Sequence, residues 1–144
     1  GYENRNKYSK ICLGKKDIST VKNGSENLKI FEGFFDFLSF KNIEKFLSDE
    51  KYDYIILNSV SMISKIKNFL ENYKNIELYF DNDEAGNRAV ETLKKEVENV
   101  EDGRILYKNF KDLNDWAMSS PKLVEKLGDS LVQKVPKVYN KRGR

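Results

Sequence analysis

The sequence predicts an α/β fold with a central, mainly parallel sheet of about four strands flanked by helices. Two patterns predict it: short apolar runs alternate with longer stretches of helical periodicity, and polar or acidic residues follow the apolar runs directly. The chain has 144 residues, of which 39% are hydrophobic and 34% are charged. This length and composition fit one globular domain with a core of its own.

The first β-α unit consists of a predicted strand over residues 28–32 and the helix that follows Gly33. We expect this helix to be interrupted near Lys41-Asn42. Its predicted apolar face comprises Phe35, Leu38, Ile43, Phe46 and Leu47. The phenylalanines at positions 31, 34, 35, 37 and 40 are all expected in the core, and not in a surface that stacks on bases.

Two further β-α units follow the first. A strand over residues 54–57 precedes helical spacing over 60–70, and a strand over 76–80 precedes an acidic turn and a helix over about 86–97. A fourth strand is predicted at Arg104–Tyr107. Beyond it, Asp112 is predicted to cap a short helix with Leu113, Trp116 and Ala117 on its apolar face, and Pro121 to begin another helix that ends near Gly128.

The chain divides into three predicted parts: an N-terminal extension (1–26) with an edge strand around Ser9–Leu13, a main domain (27–118), and a C-terminal helix with a basic tail (119–144). Both ends are mainly basic, although the net charge is only +3. Such ends either lie along nucleic-acid phosphates or are solvated tails. Because the chain begins with glycine, we expect it to be a processed product or a piece of a longer polypeptide, with partner domains missing.

The residue types present exclude several kinds of site. Cys12 is the only cysteine and histidine is absent, which excludes an internal disulfide, a Cys/His zinc site and a histidine base. A metal would need oxygen ligands, which favours Mg²⁺, Mn²⁺ or Ca²⁺. The sequence contains neither a run of about 18 apolar residues nor a signal-peptide pattern at its start, so a cytoplasmic location is expected.

The polar residues that follow the predicted strands define a candidate site. Glu32, Asp81 and Asp83 would lie on one rim of a parallel sheet, together with Asn58 and Ser59. Carboxylates gathered so closely repel one another, and a hard divalent cation neutralises them. Each of these residues alone is equally well explained as a helix cap or a first-turn charge, so the grouping carries the interpretation.

Four motifs follow one another along the chain: E-G-F-F-D at 32–36, L-N-S-V-S at 57–61, D-N-D-E-A-G at 81–86 and K-D-L-N-D at 111–115. Together they resemble the motifs of the Toprim domain, which bacterial-type primases, type IA and type II topoisomerases, and some nucleases and recombination proteins share. The first and third look most similar to primases and to the primase-like proteins of plasmids and mobile elements. The second lacks the glycine that primases often carry there.

This resemblance implies a Toprim-type, Rossmann-like fold and assigns roles to residues. Glu32 would be the general acid or base and a metal ligand, and Asp81 and Asp83 would bind Mg²⁺ or Mn²⁺. The secondary candidates for the catalytic and metal site are Asp36, Asp112 and Asp115. The candidate phosphate or nucleic-acid contacts are Asn58, Ser59, Arg88 and Lys111.

The function expected from the resemblance is Mg²⁺-dependent nucleotidyl transfer by the catalytic module of a DNA primase-like protein, acting in replication or mobilisation. Its partners would be DNA or RNA, as a single-stranded template, nucleotides and the missing domains. The alternatives are a non-catalytic nucleic-acid-binding module and a Toprim nuclease. A topoisomerase and a phosphate-receiving domain fit less well, because neither a tyrosine in a recognisable setting nor a D-x-D-x-T motif is present.

Overall fold

The computed structural model of the protein describes residues 9–12, 18–44 and 50–119, and one six-stranded sheet runs through these three segments. Its strands are β1 (Ser9–Cys12), β2 (Ser19–Lys22), β3 (Asn27–Phe31), β4 (Asp53–Ile56), β5 (Asn75–Tyr79) and β6 (Val100–Asp102). They lie in the order β1-β2-β4-β3-β5-β6. The strands from β3 to β6 are parallel, whereas β1 and β2 are antiparallel additions at the β4 edge.

The predicted α/β class with a mainly parallel sheet is confirmed, and the sheet is wider than the four strands expected. The additional strand β2 was not predicted, because its sequence Ser-Thr-Val-Lys has little apolar character. Its inclusion depends on backbone pairing with β4.

The described helices are α1 (Phe34–Glu44), α2 (Lys67–Leu70), α3 (Glu84–Glu96) and α4 (Leu113–Ser119), with 3₁₀ helices at Val60–Lys65 and Gly103–Tyr107. None of the helices in the described part of the chain has the length and apolar character needed to cross a membrane. The predicted helix from Pro121 lies outside the described residues.

The predicted strand at Arg104–Tyr107 is wrong, because this segment forms the second 3₁₀ helix. The last strand ends earlier, at Asp102, whose side chain accepts hydrogen bonds from the Arg104 backbone (3.1 Å) and guanidinium. At the other end of the turn, the buried Tyr107 hydroxyl donates to the Phe80 carbonyl at 2.8 Å. Side-chain capping and this long-range anchor favour the helical turn over an extended strand.

The predicted buried face of α1 is confirmed at Ile43 but wrong at Phe35 and Leu38, and Phe34 does not lie in the core as expected. Phe34, Phe35 and Leu38 are exposed, and the buried positions are Asp36, Phe37, Phe40 and Ile43. The helix continues through Lys41-Asn42 without the expected break, whereas the predicted face residues Phe46 and Leu47 lie outside the described residues. The helix presents Phe37 and Phe40 inward because the sheet offers them aromatic partners.

The sheet has a distinct core on each face. On the face covered by α1 and α4, the Phe31 ring stacks on Tyr79 with centroids 5.0 Å apart and lies 5.5 Å from Phe40. The opposite face is aliphatic and packs strand residues such as Leu28 and Leu78 against α3. We call the first of these, centred on Phe31, Phe40 and Tyr79, the aromatic core.

A buried ion pair joins the two central strands inside the aromatic core. Lys29 of β3 and Glu77 of β5 are register partners, and Lys29 Nζ lies 2.6 Å from Glu77 Oε1. The Tyr79 hydroxyl donates to the same carboxylate oxygen at 2.7 Å, and Lys29 Nζ lies 3.3 Å from the centroid of the Tyr52 ring. Burial lowers the pKa of Lys29, and the charge of Glu77 opposes that shift.

Removal of one partner of this ion pair should destabilise the protein strongly. We expect Lys29→Met to lower the free energy of unfolding by about 3–5 kcal/mol, since it leaves the Glu77 carboxylate buried without its cation. The double variant Lys29→Met/Glu77→Gln keeps an acceptor for the Tyr79 hydroxyl and should be more stable than Lys29→Met. Urea denaturation checks this, and a double variant that is less stable than Lys29→Met would contradict it.

Candidate functional site

The candidate site lies where β3 and β5 end side by side. Glu32 follows β3 directly, and Asp81 follows β5 after Phe80. Oε1 of Glu32 accepts a hydrogen bond from the Asp81 backbone N–H at 2.9 Å, although 49 residues separate the two. The adjacency of β3 and β5 in the sheet therefore brings the two principal predicted carboxylates together.

The turn after Asp81 holds its shape because Asp83 and Gly86 contact each other. Asp83 is the N-cap of α3, and its Oδ1 accepts a hydrogen bond from the Gly86 N–H at 2.7 Å. A Cβ atom on Gly86 would lie 2.1 Å from the Asp81 carbonyl oxygen, so any other residue would push the turn open. The D-x-D-x-x-G spacing thus follows from this close approach of backbone to backbone.

Asn82, between the two aspartates, attaches a distant loop to the site. Its backbone N–H donates to the Lys111 carbonyl at 2.7 Å, and its Nδ2 donates to the carbonyls of Tyr107 (3.1 Å) and Phe110 (2.8 Å). Sequence reasoning did not single out Asn82. The only hint in the sequence was the position of this asparagine inside the D-N-D motif. The partners of its side chain lie 25 and 28 residues away, and local sequence patterns do not reveal such contacts.

The attached loop carries one of the three secondary carboxylates, Asp112, and the other two lie on helices. Asp112 caps α4 as predicted, because its Oδ1 accepts from the Asp115 N–H at 2.7 Å. Asp36 of α1 is buried, and its Oδ1 accepts from the Asn114 N–H at 2.9 Å. Asp115 is exposed on the first turn of α4. Of these three residues, Asp36 and Asp112 lie close enough for their charges to raise the pKa of Asp81.

Five acidic residues interact electrostatically at the ends of β3 and β5. We call them the carboxylate cluster: Glu32, Asp36, Asp81, Asp83 and Asp112. Burial, together with repulsion from the other four members, raises the pKa of Asp81 to about 7. Burial similarly raises the pKa of Asp36 to about 6 and that of Glu32 in the same direction. Among the described residues, no donor contacts the Asp81 carboxylate, so nothing in that part of the chain compensates its charge by direct contact.

The donor set of the cluster fits a hard divalent cation. All its ligand atoms are carboxylate oxygens, and their mutual repulsion would be relieved by a positive charge. Within the described residues, no group of three or more acidic or cysteine side chains is arranged to enclose a metal ion. Mg²⁺ needs no such enclosure, since it usually takes one or two carboxylates and completes its shell with water and substrate phosphate.

The residues predicted to contact phosphate lie on several different elements. Asn58 follows β4 in the left-handed backbone region (φ 69°), and the Ser59 Oγ caps the first 3₁₀ helix by accepting from the Ser61 N–H at 3.2 Å. A groove of about 470 Å³ runs between that 3₁₀ helix and α3. Ser59 and Arg88 both line it, and Arg88 also pairs with Glu84 at 3.3 Å.

The fourth predicted phosphate contact, Lys111, is exposed on the loop that Asn82 attaches. Arg104 is a cation that sequence reasoning missed, because the segment was taken for a strand. Its guanidinium holds Asp102, donates to Asn87 Oδ1 at 2.6 Å and reaches the Asp81 carbonyl at 3.4 Å. Arg104 therefore braces the turn that carries Asp81.

The Toprim-like family matches residues 29–117, and the chain belongs to this family. The resemblance inferred over residues 27–118 is therefore confirmed. A search of curated proteins finds no match.

Solved structures with a similar fold include primases. The primase fragment of the bacteriophage T7 primase-helicase protein is 21% identical, with a TM-score of 0.54 over 73% of this chain. A chain from the bacteriophage T7 lagging-strand DNA polymerase complex with primase domains, an RNA/DNA hybrid and dTTP is 20% identical, with a TM-score of 0.58 over 79% of this chain. A small Toprim domain protein from Bacillus stearothermophilus, 20% identical, has a TM-score of 0.43 over 65% of this chain and 80% of its own. This chain corresponds to only 45% and 60% of the two T7 chains.

The raised pKa of Asp81 makes the metal-free protein less stable as pH rises. The folded state holds this proton more tightly than the unfolded state does, so stability falls as pH rises from the ordinary value of 3.8 to about 7. After allowance for partial exposure, we expect Asp81→Asn to be more stable than wild type by about 1–2 kcal/mol at pH 8.

The difference in stability between Asp81→Asn and wild type should shrink at pH 5, where the Asp81 carboxyl of the wild type is protonated. Thermal and urea unfolding in EDTA at both pH values check this, with the exposed Asp115→Asn as the matched control. A variant that is less stable than wild type at pH 8 would show that Asp81 has a structural role.

Proposed function

We propose that the chain is the Toprim catalytic module of a primase-like protein and catalyses Mg²⁺-dependent nucleotidyl transfer on nucleic acid. One observation carries the proposal: Glu32 and Asp81 meet at the ends of adjacent parallel strands, inside a carboxylate cluster, and no donor among the described residues contacts the Asp81 carboxylate. Family membership and the fold shared with T7 primase fragments support it. DNA or RNA, nucleotides and further domains of a longer polypeptide are the proposed partners.

Asp81 and Asp83 are the residues proposed to hold Mg²⁺ or Mn²⁺. When bound, the ion would neutralise charge on the reacting phosphate, which is most of what phosphoryl transfer requires of a protein. Asp83 keeps one oxygen on the Gly86 N–H, and the Asp81 carboxylate contacts no donor in the described part of the chain. Both side chains thus retain oxygen atoms for a cation.

Glu32 is the proposed proton acceptor for an attacking 3′-hydroxyl. Its Oε1 is held by the Asp81 N–H, which fixes the orientation of the carboxyl group and leaves Oε2 without a donor among the described residues. Burial raises its pKa toward the range in which a carboxyl group works as a base near neutral pH. Glu32 therefore combines a fixed position with enhanced basicity.

The groove between the first 3₁₀ helix and α3 is a proposed path for the phosphate backbone. Hydroxyl groups of Ser59, Ser61 and Ser64 line it together with Arg88 and Lys67. Hydroxyl donors and cations are the usual partners of phosphate oxygens. The groove includes Ala85, two residues from Asp83, so a strand in it would approach the carboxylate cluster.

A non-catalytic nucleic-acid-binding module is the second candidate. The observation in its favour is that no three acidic side chains of the described residues enclose a metal position. Such a module would bind single strands through the groove without metal-dependent turnover.

Metal titration of the full chain, followed by activity assays, tests the proposal. We expect saturable Mn²⁺ binding by calorimetry and NMR line broadening, with Asp81→Asn weakened at least tenfold, since even outer-shell partners are worth about 10- to 100-fold. Glu32→Gln keeps an acceptor for the Asp81 N–H and should retain the fold. It should lower nucleotide incorporation by about 10²- to 10⁴-fold as expected for a lost base. Glu91→Gln, at an exposed position of α3, is the matched control.

The outcomes separate the candidates. Metal-dependent cleavage without incorporation would identify a nuclease, and binding of single strands without metal affinity would identify the non-catalytic module. Equal Mn²⁺ affinity of wild type and Asp81→Asn would contradict the proposed metal site.

A further inference from the structure

Three apolar side chains at the start of α1 are exposed beside the carboxylate cluster. Phe34, Phe35 and Leu38 have 47%, 68% and 44% of their surface accessible. They belong to the first two turns of the helix that begins directly after Glu32-Gly33. We call them the α1 patch.

The aromatic part of the α1 patch is held in place by the core. The Phe34 ring lies 6.2 Å from that of Phe37, which in turn lies 5.3 Å from Tyr54 in the sheet. Phe35 meets Phe34 edge to face, with centroids 6.1 Å apart and planes at 67°. Phe34 and, beyond it, Phe35 are therefore the outer members of a continuous series of aromatic contacts, and the position of the Phe34 ring is preorganised before any ligand binds.

The size of the α1 patch argues against a protein partner. With about 200 Å² for a whole aromatic side chain, the three residues together expose roughly 300 Å². A stable protein interface needs about 800 Å² on each partner. An area of this size matches the faces of one or two nucleobases instead, and each of the two phenylalanine rings offers an aromatic face on which a base can stack.

We propose that Phe34 and Phe35 stack on unpaired bases of a single-stranded nucleic acid whose phosphates lie at the carboxylate cluster. This inference rests on the proposed function, because it names how that site holds its strand. The Cα atoms of Glu32 and Phe34 are within about 7 Å of each other, since the two residues lie two positions apart along the chain. A nucleotide at the site would thus place its base, or the neighbouring one, within reach of these rings.

The test measures binding of a single-stranded oligonucleotide that carries 2-aminopurine to the full chain, by anisotropy and by base fluorescence. We expect Phe35→Ala and the double variant Phe34→Ala/Phe35→Ala to lose roughly 5- to 100-fold in affinity, as for removal of one stacked base. The quenching of 2-aminopurine should disappear in parallel. The dependence of affinity on salt should keep the wild-type slope, because no charge is removed.

The controls use other exposed apolar residues. Ile105→Ala and Met118→Ala remove side chains that are 56% and 71% exposed on other elements, and they should leave affinity unchanged. Phe35→Trp, unlike Phe35→Ala, should keep the wild-type affinity and quenching, because tryptophan retains an aromatic face for stacking. Unfolding of each variant is measured in parallel, and Phe35→Ala provides the comparison if the double variant is unstable.

Wild-type affinity and quenching in a folded double variant would overturn the inference, as would a wild-type chain that binds no single strand at low salt. Unchanged affinity with altered self-association would assign the patch to a protein partner and overturn it as well. Metal binding and nucleotide incorporation, measured on the same variants, report separately on the proposed function. If the variants keep metal binding and nucleotide incorporation and also bind the strand with wild-type affinity, the stacking role is refuted and the proposed function is not.

Discussion

The register between β3 and β5 is the constraint on which the candidate site depends. Three contacts hold it: the Asn75 amide donates to Asn27 at one end, the Lys29–Glu77 pair lies in the middle, and Glu32 meets the Asp81 N–H at the other end. A shift of one residue would place Lys29 opposite an apolar side chain and move Glu32 away from Asp81. Since a buried unpaired charge is costly, the ion pair makes such a shift strongly unfavourable.

A buried carboxylate with a cation partner and a half-buried carboxylate without one among the described residues lie only a few residues apart in the chain. Inside the aromatic core, Glu77 has both Lys29 and the Tyr79 hydroxyl as partners. At the strand ends, Asp81 is half-buried among carboxylates, and its pKa is raised accordingly. The first arrangement supports the fold. The second costs stability and leaves a negative potential open to a cation, as expected for the metal site that we propose.

The strand-to-helix turns and the carboxylate pairing were predictable because they depend on short segments. Apolar runs of four or five residues followed by Asp or Glu identify parallel strand ends, and D-N-D-E-A-G contains both the N-cap Asp83 and the glycine that the turn requires. The buried face of α1 was not predictable in the same way. Phenylalanine recurs at 34, 35, 37 and 40, so the spacing allows several apolar faces, and burial separates these residues into exposed and core pairs.

By itself the sequence determined the β-α alternation, the strand-end carboxylates, the caps at Asp83 and Asp112, and the Toprim-like family. These are local properties, set by periodicity and by hydrogen bonds over three or four residues. Only the tertiary structure decided which side of α1 faces the sheet, that Asn82 attaches the loop before α4, and that Asp36 and Asp112 act on Asp81. Those outcomes depend on packing between segments far apart in the chain, and a helix's rotation against a sheet is set by the shape of the surface it meets.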